Sequence, residues 1–241
     1  MKFKLVLFDL GGTLINYENS SWLELGRLGC IEGVKYIREA LNFDIEVEEL
    51  DSRLHNAVGR MIKSRDDSDA ELDLIDLTGR ILKELGVNIT DGLPEKFIEA
   101  YYKPIRDQIT LVPYAREILS KIKDAGMRIG LVSNTIFPAD YHRTEMREFG
   151  LYDFFGFALF SSEEKIRKPG KEIFLRALKL GKSDPGDTVF IGDRLEEDIA
   201  GPQSVGIKAI LKCVDGREYS SEITPFETIR DLKELENIVL I

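Results

Sequence analysis

Apolar residues fall into two rhythms along this chain. In residues 4–8, 128–132, 188–191 and 207–211 they run on without alternation, as in Leu5-Val6-Leu7-Phe8. Residues 157–160, Phe-Ala-Leu-Phe, are a further short run of the same kind. Continuous apolar runs predict central strands of a parallel sheet, covered on both faces. Elsewhere the apolar positions recur at helical spacing. Segments 114–125, 138–149, 171–180 and 195–205 read as amphipathic helices, each followed by a glycine: Gly126, Gly150, Gly181 and Gly206. This alternation predicts an α/β fold, with right-handed βαβ units wound into a doubly wound parallel sheet.

Between the first strand and the helix at 114 lie about 90 residues with no strand pattern. Segments 20–28, 33–40, 47–63, 70–85 and 94–105 read as helices. A βα connection is normally far shorter. The stretch therefore reads as an all-helical cap domain, residues 17–105, inserted into a core formed by residues 1–16 and 106–241. The acid-rich run 63–73 reads as a solvated turn and helix start. The last residues, 231–241, read as one more helix against the sheet.

The composition, 43% hydrophobic and 32% charged over 241 residues, is that of a globular protein with room for a full domain and an insert. No apolar run approaches the roughly 20 residues of a membrane span. The first residues lead too directly into a strand for a signal peptide. Cys30 and Cys213 are far apart and make no C-x-x-C, which argues against a disulfide framework or a zinc site. A cytoplasmic protein without a membrane partner is expected. His55 and His142 are isolated and read as surface or capping residues. The net charge of −10 argues against a nucleic-acid partner. It also means that a phosphate ligand would need a local cation or backbone amides.

The ends of the predicted strands carry the chemistry. In an open α/β sheet, ligands bind beyond the carboxyl ends of the strands. The first strand ends in Phe8-Asp9 and turns through Gly11-Gly12-Thr13. The second ends in Val132-Ser133-Asn134, and a later one in Ile191-Gly192-Asp193 with Asp198 five residues on. Arg167-Lys168-Pro169 stands just before a helix. A charge at the end of a buried strand is costly unless something there uses it. Acids, a hydroxyl and a lysine thus converge on one crevice.

This order and spacing (DxxGT, a strand ending in Ser, Lys-Pro, then GDxxxxD) resemble the haloacid dehalogenase superfamily over the whole chain, including a type 1 helical cap between the first two motifs. The resemblance implies a Rossmann-like core, Mg2+, and a phosphatase acting on a small phosphorylated metabolite through an aspartyl-phosphate. It implies that Asp9 is the nucleophile and, with the Gly11 carbonyl and Asp193, a metal ligand. Ser133 matches the hydroxyl that binds phosphoryl oxygens, followed by Asn134 in the same phosphate-binding segment. Gly12 would let the backbone approach the phosphate. Lys168 matches the cation that neutralises nucleophile and phosphate, and Asp198 a supporting acid that orients a metal-bound water or the lysine.

One position departs from the pattern. Family phosphatases usually carry a second Asp two residues after the nucleophile, where this chain has Gly11. That Asp acts as general acid and base, a role typically worth about 10²–10⁴-fold. Three readings stay open: a magnesium phosphatase with weakened acid–base help, a carbon–phosphorus or carbon–halogen hydrolase of the same fold, and a phosphate or metabolite binder with little or no catalysis.

Overall fold

The computed structural model describes residues 3–63, 70–219 and 222–240. Strand β1 (Leu5–Phe8) opens the chain and is buried throughout. After β2 (Ile15–Asn16) come four helices: α1 (Trp22–Leu41), α2 (Val47–Lys63), α3 (Leu74–Glu84) and α4 (Leu93–Asp107). Strand β3 (Thr110–Leu111) leads into α5 (Ala115–Asp124), β4 (Arg128–Ser133), α6 (Ala139–Glu148) and β5 (Phe157–Phe160). The short α7 (Ser161–Glu164) precedes α8 (Lys171–Gly181), β6 (Thr188–Gly192) and α9 (Gly201–Gln203). Strands β7 (Lys208–Lys212) and β8 (Glu227–Ile229) and helix α10 (Glu236–Val239) complete the order.

Six strands form one parallel sheet in the order β5-β4-β1-β6-β7-β8. The chain builds outward from β1 through β4 to β5, then returns to the other side of β1 with β6. The strand order therefore reverses between β1 and β6, where open α/β sheets form their ligand crevice. The register levels the strand ends there. Phe8 lies opposite Leu131 of β4 and Ile191 of β6. Below the crevice, Leu5 and Leu7 pack with Ile173, Phe174 and Phe190. Full burial of such side chains stabilises by roughly 1.5–3 kcal/mol each.

The chain divides into two compact units. The α/β core comprises Met1–Asn16, Asp69–Glu71 and Leu111–Ile241, and the helical unit Tyr17–Ser68 and Leu72–Thr110. Among the described residues, no helix is long and apolar enough to cross a membrane.

Several local expectations change. Segments 20–28 and 33–40 are one helix, α1, started by Ser21, whose hydroxyl accepts from the Glu24 amide at 3.1 Å. Gly29 and Gly33 do not break it. Added Cβ atoms there would lie 2.7 Å from the Tyr101 carbonyl oxygen and 2.3 Å from the Phe97 ring, so the glycines let α4 pack closely. The helix expected over 195–205 is instead a π-helical turn, Leu195–Ala200, followed by the three residues of α9. Pro202 has no N–H to continue a regular ladder. The expected last helix is two short turns, the first capped reciprocally by Asp231 and Glu234. Edge strand β8 has no apolar run to betray it, since Glu227 and Thr228 are exposed. Of the acid-rich run 63–73, residues 64–69 lie outside the described residues. Glu71 is not solvated; its side chain is only 1% exposed.

Candidate active site

The site is organised around Lys168. Its Nζ donates to Asp9 Oδ1 and to Asp198 Oδ1, each at 2.6 Å. Asp9 follows β1 directly, and its N–H donates to the Ile191 carbonyl at 2.9 Å. The second oxygen of Asp198 accepts from the main-chain N–H of Asp193 at 3.0 Å and of Arg194 at 2.9 Å. Asp198 thereby holds the lysine and shapes the loop that presents Asp193. All four side chains are buried, Lys168, Asp193 and Asp198 to 1% exposure and Asp9 to 7%. Buried charges persist where they are paired and hydrogen-bonded.

Electrostatics follow from this crowding. Burial pushes Asp9 up to about 7, with Asp198 and Asp193 adding to the shift and Lys168 opposing it. Asp193 is pushed up to about 6 by burial and Asp198, against Arg217 and Arg194. Burial works against the Lys168 ammonium, but Asp198 and Asp9 outweigh it and hold the group above its usual value.

The carboxylates also fit a cation. Ligand oxygens of Asp9, Asp193 and Asp198 lie within 4.8 Å of one another. Asp193 Oδ1 is buried without a hydrogen-bond partner among the described residues. Its Oδ2 is ion-paired with Arg217, whose Nη1 also donates to the Asp193 carbonyl at 3.1 Å. Both oxygens of Asp198 are engaged, so Asp9 and Asp193 are the acids suited to a divalent ion. An all-oxygen set suits a hard cation such as Mg2+.

The turn after β1 is specified by Gly12. Its φ is +74°, and a Cβ there would sit 2.4 Å from Asp193 Oδ2. Lys212 Nζ donates to the Gly12 carbonyl at 2.9 Å from the end of β7. The Gly12 amide donates to the Ile15 carbonyl at 2.8 Å. Gly12 contributes the turn and the clearance beside Asp193. Gly11 forms a bridge with Ile15 in the same turn.

Ser133 ends β4 and is buried to 5% exposure, level with the crevice. The side-chain amide of Asn134 is taken up by the main chain of Lys168. Its Nδ2 donates to the Lys168 carbonyl and its Oδ1 accepts from the Lys168 N–H, both at 2.9 Å. The amide pair fixes the lysine's main chain.

Some residues escaped the sequence reading. Lys212 and Arg217 stand at and just beyond the end of β7, where the rule applied to the other strands would have found them. His142 is buried rather than on the surface. Its Nε2 is 2.7 Å from Thr135 Oγ1, its Nδ1 is 3.0 Å from Glu145 Oε2, and its ring stacks on Phe160. No spacing rule reveals that arrangement, because an isolated histidine shows no partner in the sequence.

The chain belongs to the haloacid dehalogenase-like hydrolase family, whose family model matches residues 3–206. It is 26% identical over 208 residues to a glyceraldehyde 3-phosphate phosphatase from Pyrococcus abyssi, covering 86% of this chain and 80% of that protein. A HAD phosphatase from Thermococcus onnurineus superposes with a TM-score of 0.65 at 26% identity, over 99% of this chain and 97% of the other. A 2-haloacid dehalogenase from Pseudomonas syringae pv. Tomato DC3000 shares the fold at a TM-score of 0.74 and 23% identity, over 98% of this chain and 97% of the other.

Proposed function

We propose that this hydrolase is a magnesium-dependent phosphatase of small phosphomonoesters. The observation that carries the reading is Lys168 bridging Asp9 and Asp198 beside the open oxygen of Asp193. Asp9 attacks phosphorus, the ester P–O bond breaks, and an aspartyl-phosphate forms. Water then hydrolyses that intermediate, releasing phosphate and restoring Asp9. Lys168 keeps Asp9 aligned and offsets the negative charge that gathers with the substrate. The Ser133 hydroxyl binds a phosphoryl oxygen. Asp198 holds Lys168 and the loop of Asp193. Asp9, the Gly11 carbonyl and Asp193 would hold Mg2+, which supplies charge neutralisation between the carboxylates and the phosphate dianion.

Gly11 offers no side chain to protonate the leaving oxygen, so that proton comes from water. The names of the phosphatase relatives support a small phosphorylated metabolite as substrate. The two cysteines, neither in a disulfide, fit a reducing cytoplasm.

The test is a panel of aryl and metabolite phosphates, glyceraldehyde 3-phosphate among them, with Mg2+ or with chelator. Turnover that disappears in Asp9→Asn and depends steeply on leaving-group pKa is expected. Turnover that survives Asp9→Asn, or that ignores chelation, would overturn the reading.

A further inference from the structure

Glu71 lies in sequence among helices of the insert, yet it belongs to the α/β core. Its neighbour Ala70 forms an antiparallel bridge with Ile166, and its own N–H donates to the Lys165 carbonyl at 3.3 Å. Residues 70 and 71 thus lie along the backbone that delivers Lys168. The carboxylate is buried, at 1% side-chain exposure. One oxygen, Oε2, accepts from Ser161 Oγ at 2.6 Å and stands 3.5 Å from Arg167 Nε. Ser161 Oγ in turn accepts from the Thr135 N–H at 2.8 Å. Thr135 follows Ser133 and Asn134, and Arg167 precedes Lys168.

A buried carboxylate is costly unless its partners offset it. Here one partner, Arg167, precedes Lys168, and the other, Ser161, relays to the Thr135 N–H of the segment that carries Ser133. We propose that Glu71 is a positioning residue, tying the segment 133–135 to the segment of Arg167 and Lys168. The Asn134 amide pair joins the same segments at a second point. Two links at different points resist both separation and rotation of the segments, so Ser133 and Lys168 keep one mutual geometry. The functional part of this proposal rests on the phosphatase reading, while the positioning itself does not.

The experiment compares the full-length wild type with Glu71→Ala and Ser161→Ala, the second cutting the same link without removing a charge. With Mg2+ and an aryl phosphate, kcat should fall about tenfold or more in Glu71→Ala with KM changed by less than about threefold. Amide exchange followed by NMR supplies a readout independent of activity. The Thr135 N–H should exchange about tenfold faster in both variants, with the Leu7 N–H of β1 unchanged. Unchanged Thr135 protection, or equal acceleration at Leu7, would overturn the proposal; so would faster Thr135 exchange with kcat intact. If wild-type turnover is absent or survives Asp9→Asn, the phosphatase reading fails, and the exchange comparison still decides whether Glu71 positions. If Glu71→Ala does not fold, Ser161→Ala carries both measurements.

Discussion

Asn134 grips the main chain of Lys168 from two sides, donating to its carbonyl and accepting from its N–H at 2.9 Å each. The lysine is thus aimed by its backbone as well as by the two acids at its tip. Asn134→Ala leaves both main-chain groups without these partners, at a cost of about 1–3 kcal/mol. Turnover should fall more steeply than stability, because the tip of Lys168 loses its register. Denaturant melts and kcat measured on the same preparation check this. A kcat that tracks only the folded fraction would count against it.

The pH dependence of the metal-free protein follows from Asp9. Its carboxyl is raised from 3.8 to about 7, so between those values the folded chain retains a proton that the unfolded chain releases. This group's contribution is therefore most favourable below pH 3.8 and declines as pH rises toward about 7. Asp9→Asn removes the titration. The variant should gain stability relative to the wild type as pH rises from 4.5 to 7.5, read by urea unfolding in chelator. A difference that stays constant with pH would refute the assignment.

Gly12→Ala tests the turn. The added methyl meets Asp193 Oδ2 at 2.4 Å, and the φ of +74° is strained for any residue with a Cβ. The left-handed conformation alone costs roughly 1–2 kcal/mol. Displacement of Asp193 should lower turnover by about 10²-fold and weaken Mg2+ binding. Calorimetric titration with Mg2+ and thermal unfolding separate these effects.

Under the proposed function, Arg217 would oppose a cation at Asp193. Its guanidinium pairs with one carboxylate oxygen and with the carbonyl of the same residue. Arg217→Met should tighten Mg2+ binding about tenfold by removing both the contact and a nearby positive charge. Asp193→Asn should abolish that binding. Unchanged or weaker affinity in Arg217→Met would show that the arginine does not oppose the ion.

The sheet and the outline of the site were legible because both depend on local pattern. Leu5 to Phe8 must be covered on both faces, so the run announces a central strand, and Asp9 after it lies at a carboxyl end. The same logic placed Ser133 and Asp193 at strand ends, while Lys168 before its helix and Asp198 five residues on were read from the motif order. What Asn134 and Gly12 do was not legible. Each forms its decisive bond to another segment or within a turn, and a residue type alone does not say whether its amide faces a ligand or the chain. Glu71 and His142 were misread for a related reason. Acidic or isolated polar residues are usually solvated, and only tertiary partners such as Ser161, Thr135 and Glu145 make their burial tolerable. Segments 20–28 and 33–40 are one helix, in which Gly29 and Gly33 are small because α4 packs against them.

The assignment of Ala70 and Glu71 to the core bears on how this protein can be re-engineered or has diversified. The helical insert is not a cassette bounded by two cuts. Excising residues 17–110 would also remove the acceptor of the Ser161 hydroxyl and the strand fragment beside Ile166. A helical domain transplanted from a relative would bring its own residue to the place of Glu71. Grafts intended to change substrate choice should therefore leave Ala70 and Glu71 native.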